Sequence, residues 1–324
     1  MLLIMQERSA ALTHMVQREA LPLVVMVGPT AVGKSGLALE LALRFGLEIV
    51  NADSMQVYRG MDIGSAKPSP EERNLVAHHL INIRNPDEDY SAAQFQEEAR
   101  RIINGLANRG KRAMVVGGTG LYIQTLLTGL CAAPPADNHL REELKQQEHD
   151  RGKWYLHREL ARVDPEAASR IHPNDTFRII RALEVFLLTG KPLSDHHRAH
   201  RFNSTGLTPL KIGLLRDRQE IYRRIEERVD SMIYSGLVEE VKELLKQGYP
   251  PSIKAFQSLG YKQILSYLQG ETGLDEAIRL IKLNTRRYAK RQLTWFRKDT
   301  AIQWFSLPGQ TPDVGELLRN FLKI

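Results

Sequence analysis

The stretch "VVMVGPTAVGKSGLALELA", Val24 to Ala42, joins an apolar run to an apolar helical segment through a glycine-rich turn. Gly28-x-x-x-x-Gly33-Lys34-Ser35 is the P-loop pattern, placed as that motif requires, after a strand and at the opening of a helix. In such a loop, backbone N–H groups and a helix N-terminus surround phosphate, a lysine neutralises it, and a Ser or Thr hydroxyl holds Mg²⁺. Gly28, Thr30, Ala31, Val32 and Gly33 would form the cradle, Lys34 would supply the charge, and Ser35 would hold the metal. The pattern leaves open what the phosphate is attached to and what is done with it.

The flanking sequence alternates strand and helix. "LVVMVG" (23–28) is a short continuous apolar run, as expected of a strand buried on both faces. The helix after it carries Leu37, Leu39, Leu41 and Leu43 with alanines between, apolar nearly all round. "LEIVNADS" (47–54) and "RAMVVGGTG" (112–120) read as further strands, with a helix between them that Ser91 caps and Gly110 stops. This βαβ alternation predicts an α/β fold, a P-loop NTPase-like parallel sheet with helices on both faces. The character changes at Pro134-Pro135. From 138 to 200 the punctuation is that of short helices, with Asp164-Pro165 and Asp175 as starts and Gly190-Lys191-Pro192 as a stop. "LKIGLL" (210–215) returns to strand, so the block reads as a small all-helical insertion. A long helix carrying Ile221 through Leu244, helices over 255–269 and 274–297, and a last strand over 301–307 follow. The expected organisation is an extension over 1–20, core over 21–135, insertion over 136–206 and core again over 207–324.

With 324 residues, 42% hydrophobic and 26% charged, the composition is that of a soluble globular protein. No apolar run approaches the roughly 18 residues of a membrane span, and the first residues lack the features of a signal peptide. A lone cysteine, Cys131, excludes a disulfide framework or a multi-cysteine zinc site and fits a reducing cytoplasm. A net charge of +7 suits either a polyanionic partner or a merely basic protein. Placement decides between them. The densest basic stretch, "RRYAKRQLTWFRK" (286–298), holds six Lys/Arg, no acid and three aromatics, a composition suited to RNA phosphates and splayed bases.

An energy-coupling NTPase places an aspartate for Mg²⁺ after a later apolar strand, but here "MVV" runs into Gly117-Gly118. The acid that follows an early strand is Asp53, which should face the P-loop across the crevice at the strands' carboxyl ends. It could hold a metal through water, accept a proton from a nucleophile, or simply cap a helix.

"GPTAVGKS", "NADSMQVYRGMDIGSAKP", "HHLINI", "GGTGLY", "IHPNDTFRIIRALEVFLLTGKPLS", "SLGYKQ" and "KRQLTWFR" occur in the order seen in tRNA dimethylallyltransferases, which the chain resembles from about residue 22 to its end. The resemblance implies transfer of the dimethylallyl group from dimethylallyl diphosphate to N6 of the adenosine 3′-adjacent to the anticodon of tRNA. The P-loop would then hold a leaving group, with Mg²⁺ as cofactor. It further implies Asp53 as general base, Arg218 near the diphosphate with Arg216 as the alternative, and Asp53, Ser54, Met55 and Gln56 at the flipped base. Contacts to tRNA would come from Thr119, from Phe177, Arg178, Ile179, Ile180 and Arg181 of the insertion, and from Lys290, Arg291, Gln292 and Trp295. The expected partners are the anticodon stem-loop of tRNA and dimethylallyl diphosphate, with a monomeric chain and no membrane. Met55 could equally be core, and the glycines beside Thr119 could simply form a tight turn.

His196 and His200 in "DHHRAHR" have i, i+4 spacing, but without a nearby thiolate they read as an RNA-facing polar loop rather than zinc ligands. Three rival functions remain. A small-molecule kinase would need neither the insertion nor the basic aromatic helix. An adenylate isopentenyltransferase would share the catalytic motifs but not the tRNA-facing ones. A non-catalytic RNA-binding protein would not need Lys34, Ser35 and Asp53 together.

Overall fold

Val24, Val25, Met26 and Val27 are all buried, because the strand they form has helices on both faces and no solvent side. The structure is a computed structural model describing residues 20–131, 133–199 and 206–324. The expected extension over 1–20 lies, but for Ala20, outside the described residues, as does His200. Among the described residues six strands form one sheet: β1 (Leu21–Val27), β2 (Leu47–Asn51), β3 (His78–His79), β4 (Arg112–Gly117), β5 (Leu207–Leu215) and β6 (Gln303–Ser306). Their order is β3-β2-β4-β1-β5-β6 and every pairing is parallel. The loops that leave β1, β2, β4 and β5 therefore emerge along one edge of the sheet.

The helices in chain order are α1 (Lys34–Phe45), α2 (Pro70–Leu75), α3 (Ala92–Asn108), α4 (Gly120–Thr128), α5 (Asn138–Arg151), α6 (Tyr155–Val163), α7 (Pro165–Arg170), α8 (Thr176–Thr189), α9 (Leu193–Ala199), α10 (Arg218–Tyr234), α11 (Leu237–Lys246), α12 (Tyr261–Leu268), α13 (Leu274–Phe296) and α14 (Thr311–Leu322). The chain divides after Leu127 and after Ser204 into two compact units.

In the sheet unit, β1 alternates between two cores. Leu23, Val25 and Val27 pack with α3, α4 and α10 to α13, while Val24 and Met26 pack with α1 and α14. The helical unit, Thr128–Ser204, has its own core of Leu144, Leu156, Leu160, Ile179, Ile180 and Leu183. Glu184, fully buried there, accepts hydrogen bonds from Arg141 Nε and Nη2 and Arg181 Nη1 at 2.8, 2.9 and 2.5 Å, and from the Asp137 N–H at 2.7 Å. Burial works against the carboxylate, but these donors bring its pKa below the usual range.

Four local expectations are corrected. Helix α1 is one-sided, with Leu37, Ala38, Leu41 and Ala42 inward and Leu43 52% exposed. The long helix over Ile221 to Leu244 is two helices, broken where Gly236 adopts φ 98, a conformation costly for any other residue. The predicted 255–269 helix begins at Tyr261, after a single 3-10 turn, and the histidines of "DHHRAHR" begin on helix α9 rather than a loop. Helix α14 adds an element whose i, i+4 apolar signal, Val314, Leu318 and Leu322, is present in the sequence.

Candidate active site

The loops after β1, β2 and β4, together with α10 and α13, enclose a cleft of about 810 Å³. On its phosphate side stand Thr30, Ala31, Gly33, Lys34 and Ser35, the last two in the first turn of α1. Gly28 and Val32 are buried beneath the loop. Lys34 Nζ donates to the Gly28 and Pro29 carbonyls at 2.9 and 2.8 Å. Burial pushes its ammonium down to about 7, the Arg228 charge pushes the same way, and Asp53 opposes both. An anion in the loop would reverse that balance.

Asp53 lines the same cleft. Its own N–H donates to Asn51 Oδ1 at 3.2 Å, and its Oδ1 accepts the Met55 N–H at 2.9 Å. The residues from 54 to 69 contain no helix, so Asp53 is not a helix cap. Ser54, Met55 and Gln56 also line the cleft, and Met55 packs on the core as well, so it belongs to both. Gln56 Nε2 donates to the Ser65 and Ala66 carbonyls, both at 3.2 Å, and Thr119 Oγ1 accepts the Ser54 N–H at 3.1 Å.

Arginines on α10 differ from expectation. Arg218 is exposed, bonds Tyr222 Oη at 3.0 Å and is not part of the cleft lining. Arg224 and Arg228 line it instead, and Arg224 Nε donates to the Ala31 carbonyl at 2.9 Å. Arg216 reaches the loop from outside through a 3.2 Å bond to the Val32 carbonyl. The signal that finds Arg224 and Arg228 is helical: they are i, i+4 and so share a face, whereas Arg218 at the first turn lies on another.

Helix α13 carries Lys290 and Arg291 on exposed positions, but Gln292 is buried at 6% exposure. Gln292 therefore departs from the exposed positions of its neighbours and lines the cleft. Trp295 is half-buried and packs so closely on Gly120 that a Cβ there would lie 2.3 Å from the indole. In the helical unit Phe177 is 75% exposed and Arg178 is exposed, while Ile179 and Ile180 are buried in the core. Arg181 donates to the Glu184 carboxylate and to the Pro134 carbonyl, at 2.5 and 2.8 Å. Tyr288 also lines the cleft, a residue the sequence analysis did not single out. Burial and the Asp53 charge push its phenol well above the usual range.

The family model for IPP transferase matches residues 56–299. A tRNA dimethylallyltransferase of Geobacter metallireducens is 57% identical, over 95% of this chain and 99% of its own length. One from Geobacter sulfurreducens is 53% identical, over 92% and 96%. Among solved structures, the tRNA isopentenylpyrophosphate transferase of Bacillus halodurans superposes with a TM-score of 0.69 at 40% identity, covering 93% of this chain and 97% of its own. A eukaryotic dimethylallyltransferase acting on tRNA reaches 0.74 at 29% identity, covering 88% and 74%. The chain belongs to the IPP transferase family.

Proposed function

We propose that this protein transfers the dimethylallyl group of dimethylallyl diphosphate to N6 of the adenosine 3′-adjacent to the anticodon of tRNA. The observation that carries the proposal is the placement of a diphosphate cradle and a carboxylate in one cleft, in a chain 57% identical to a tRNA dimethylallyltransferase.

Lys34, Arg224, Arg228 and the loop amides bind the diphosphate and neutralise the charge that grows as the allylic C–O bond breaks. Losing one preorganised donor of this kind costs about 3–4 kcal/mol in the transition state. Nitrogen N6 attacks the same carbon, the N–C bond forms as C–O breaks, and the N6 proton passes to the Asp53 carboxylate. The target base must leave its stack to reach the cleft, at a cost of a few kcal/mol that a loop reduces. Ser54, Met55 and Gln56 line its path, with Thr119 bonded behind Ser54. Lys290 and Arg291 of the sheet unit, and Phe177 and Arg178 of the helical unit, are the exposed residues assigned to the RNA. The helical unit is read as the family's inserted domain.

The oxygen donors present fit Mg²⁺. The Ser35 hydroxyl and the Asp53 carboxylate line the cleft, and no group of three or more His, Cys, Asp or Glu gathers among the described residues. An ion here would complete its shell with diphosphate and water oxygens, and bound Mg²⁺ supplies further neutralisation of the leaving group. Among the described residues no helix is long and apolar enough to cross a membrane. A monomer working in the cytoplasm is the proposed state.

Nucleoside mass analysis after incubation with Mg²⁺, dimethylallyl diphosphate and either unmodified tRNA or AMP tests the reading. Prenylated adenosine from the tRNA reaction alone is expected. Product from AMP alone would replace tRNA by a free nucleotide as acceptor.

A further inference from the structure

Gln292, placed by its motif among the residues of a basic, RNA-facing helix, turns inward. Its Oε1 accepts the Thr30 N–H of the P-loop at 2.8 Å, and its Nε2 donates to the Gly118 carbonyl after β4 at 3.0 Å. The fit leaves no slack, because a Cβ on Gly118 would lie 2.1 Å from Nε2. The residue after Gly118, Thr119, donates its N–H to the Ala52 carbonyl at 3.2 Å. Thr119 in turn accepts the Ser54 N–H, beside Asp53. Gln292 thus ties the P-loop to the β4 turn, whose Thr119 bonds the residues on either side of Asp53. Lys290 on the same helical stretch is exposed and outside the cleft lining, while Arg291 is exposed at the cleft itself, its guanidinium 5.8 Å from the centre of the Tyr288 ring.

We infer that Gln292 is a positioning residue for prenyl transfer, its amide fixing the diphosphate loop at a set distance from the loop that presents the acceptor nitrogen. The inference rests on the transfer reaction proposed above. Two reactants held in line react far faster than the same two held loosely, and a misplacement of about 1 Å can cost on the order of 10²-fold. The bridge needs an uncharged group that both donates and accepts, so the effect belongs to the bridge and not to side-chain bulk. A contact that read RNA would leave the diphosphate loop indifferent to its loss.

Gln292→Met keeps the length and removes both bonds. Expected are a fall in turnover at saturating substrates of about ten-fold to a hundred-fold, weaker binding of inorganic diphosphate by calorimetry, and unchanged tRNA affinity. Gln292→Glu provides the second test, because a protonated carboxyl reproduces the bridge, with its O–H donating to Gly118 and its carbonyl accepting from Thr30. Its activity relative to wild type should rise as pH falls from 8 to 6. Weakened tRNA binding with diphosphate binding and turnover intact, or a Glu variant whose ratio to wild type ignores pH, would overturn the inference. A wild-type protein that binds diphosphate but makes no prenylated adenosine would instead sink the transfer reaction. The Met variant's diphosphate affinity would still report the bridge.

Discussion

Asp53 and Lys34 line the same cleft, and the Asp53 charge acts on the Lys34 ammonium. With Asp53 Oδ1 occupied by the Met55 N–H, Oδ2 is left to take a proton. Asp53→Asn preserves the turn and removes the base. Turnover should fall by about 10²–10⁴ while tRNA affinity stays, and single-turnover kinetics beside a tRNA binding curve checks both. A wild-type rate would remove Asp53 from the chemistry.

Lys34 gives a pH signature. Its folded pKa of about 7 lies below the unfolded value, so in the ligand-free protein it sheds a proton that the unfolded chain keeps. Its contribution makes stability rise with pH between about 7 and 10. Diphosphate restores the counter-charge and returns the proton. Binding at pH 8.5 should therefore be accompanied by proton uptake, read from calorimetry in buffers of different ionisation enthalpy, and affinity should weaken as pH climbs above 7. Lys34→Gln should abolish the uptake.

At the scale of an element, α13 does two jobs on two faces. Tyr288, Arg291 and Gln292 line the cleft, with Thr285 buried on the same side, while Lys290 stands outside it, and Lys290 and Arg291 are both exposed. Changing Lys290 and Arg291 to alanine should reduce the log–log salt slope of tRNA binding by about 0.7–0.9 per lost phosphate contact. Filter binding across a salt series measures it, and an unchanged slope would move the RNA surface elsewhere. The sequence motif "KRQLTWFR" presents these residues as one group. The helix separates Lys290 from Gln292, because residues two apart lie about 200° apart around its axis, whereas Arg291 lines the cleft beside Gln292.

At the scale of the molecule, the two units have separate cores. Glu184→Ala leaves Arg141 and Arg181 without their buried partner and should destabilise the helical unit by about 3–5 kcal/mol. Differential scanning calorimetry should show that loss while inorganic diphosphate still binds the sheet unit. In the wild type the carboxylate's stabilisation is present above its unfolded pKa of about 4.3 and is lost as pH falls through its lowered folded value.

The parallel sheet was legible from "LVVMVG" and the βαβ alternation, because a strand with two covered faces must be apolar throughout and a P-loop must follow it. Lys34, Ser35 and Asp53 were legible for the same reason, each lying within a few residues of a strand's carboxyl end, where topology alone brings them to one edge. The break at Gly236 was hidden because the apolar pattern continues through it, and periodicity does not report a single residue in the left-handed region. Which arginines line the cleft, and that Gln292 bonds the P-loop, depended on helix phase and on contacts separated by 262 residues in the chain. Local sequence determined the sheet, the loop and the acid, since their geometry is set by neighbours in the chain. Tertiary packing alone decided the partners of Arg224, Arg228, Arg181 and Gln292, since a long polar side chain on a helix is directed by whatever the helix is packed against.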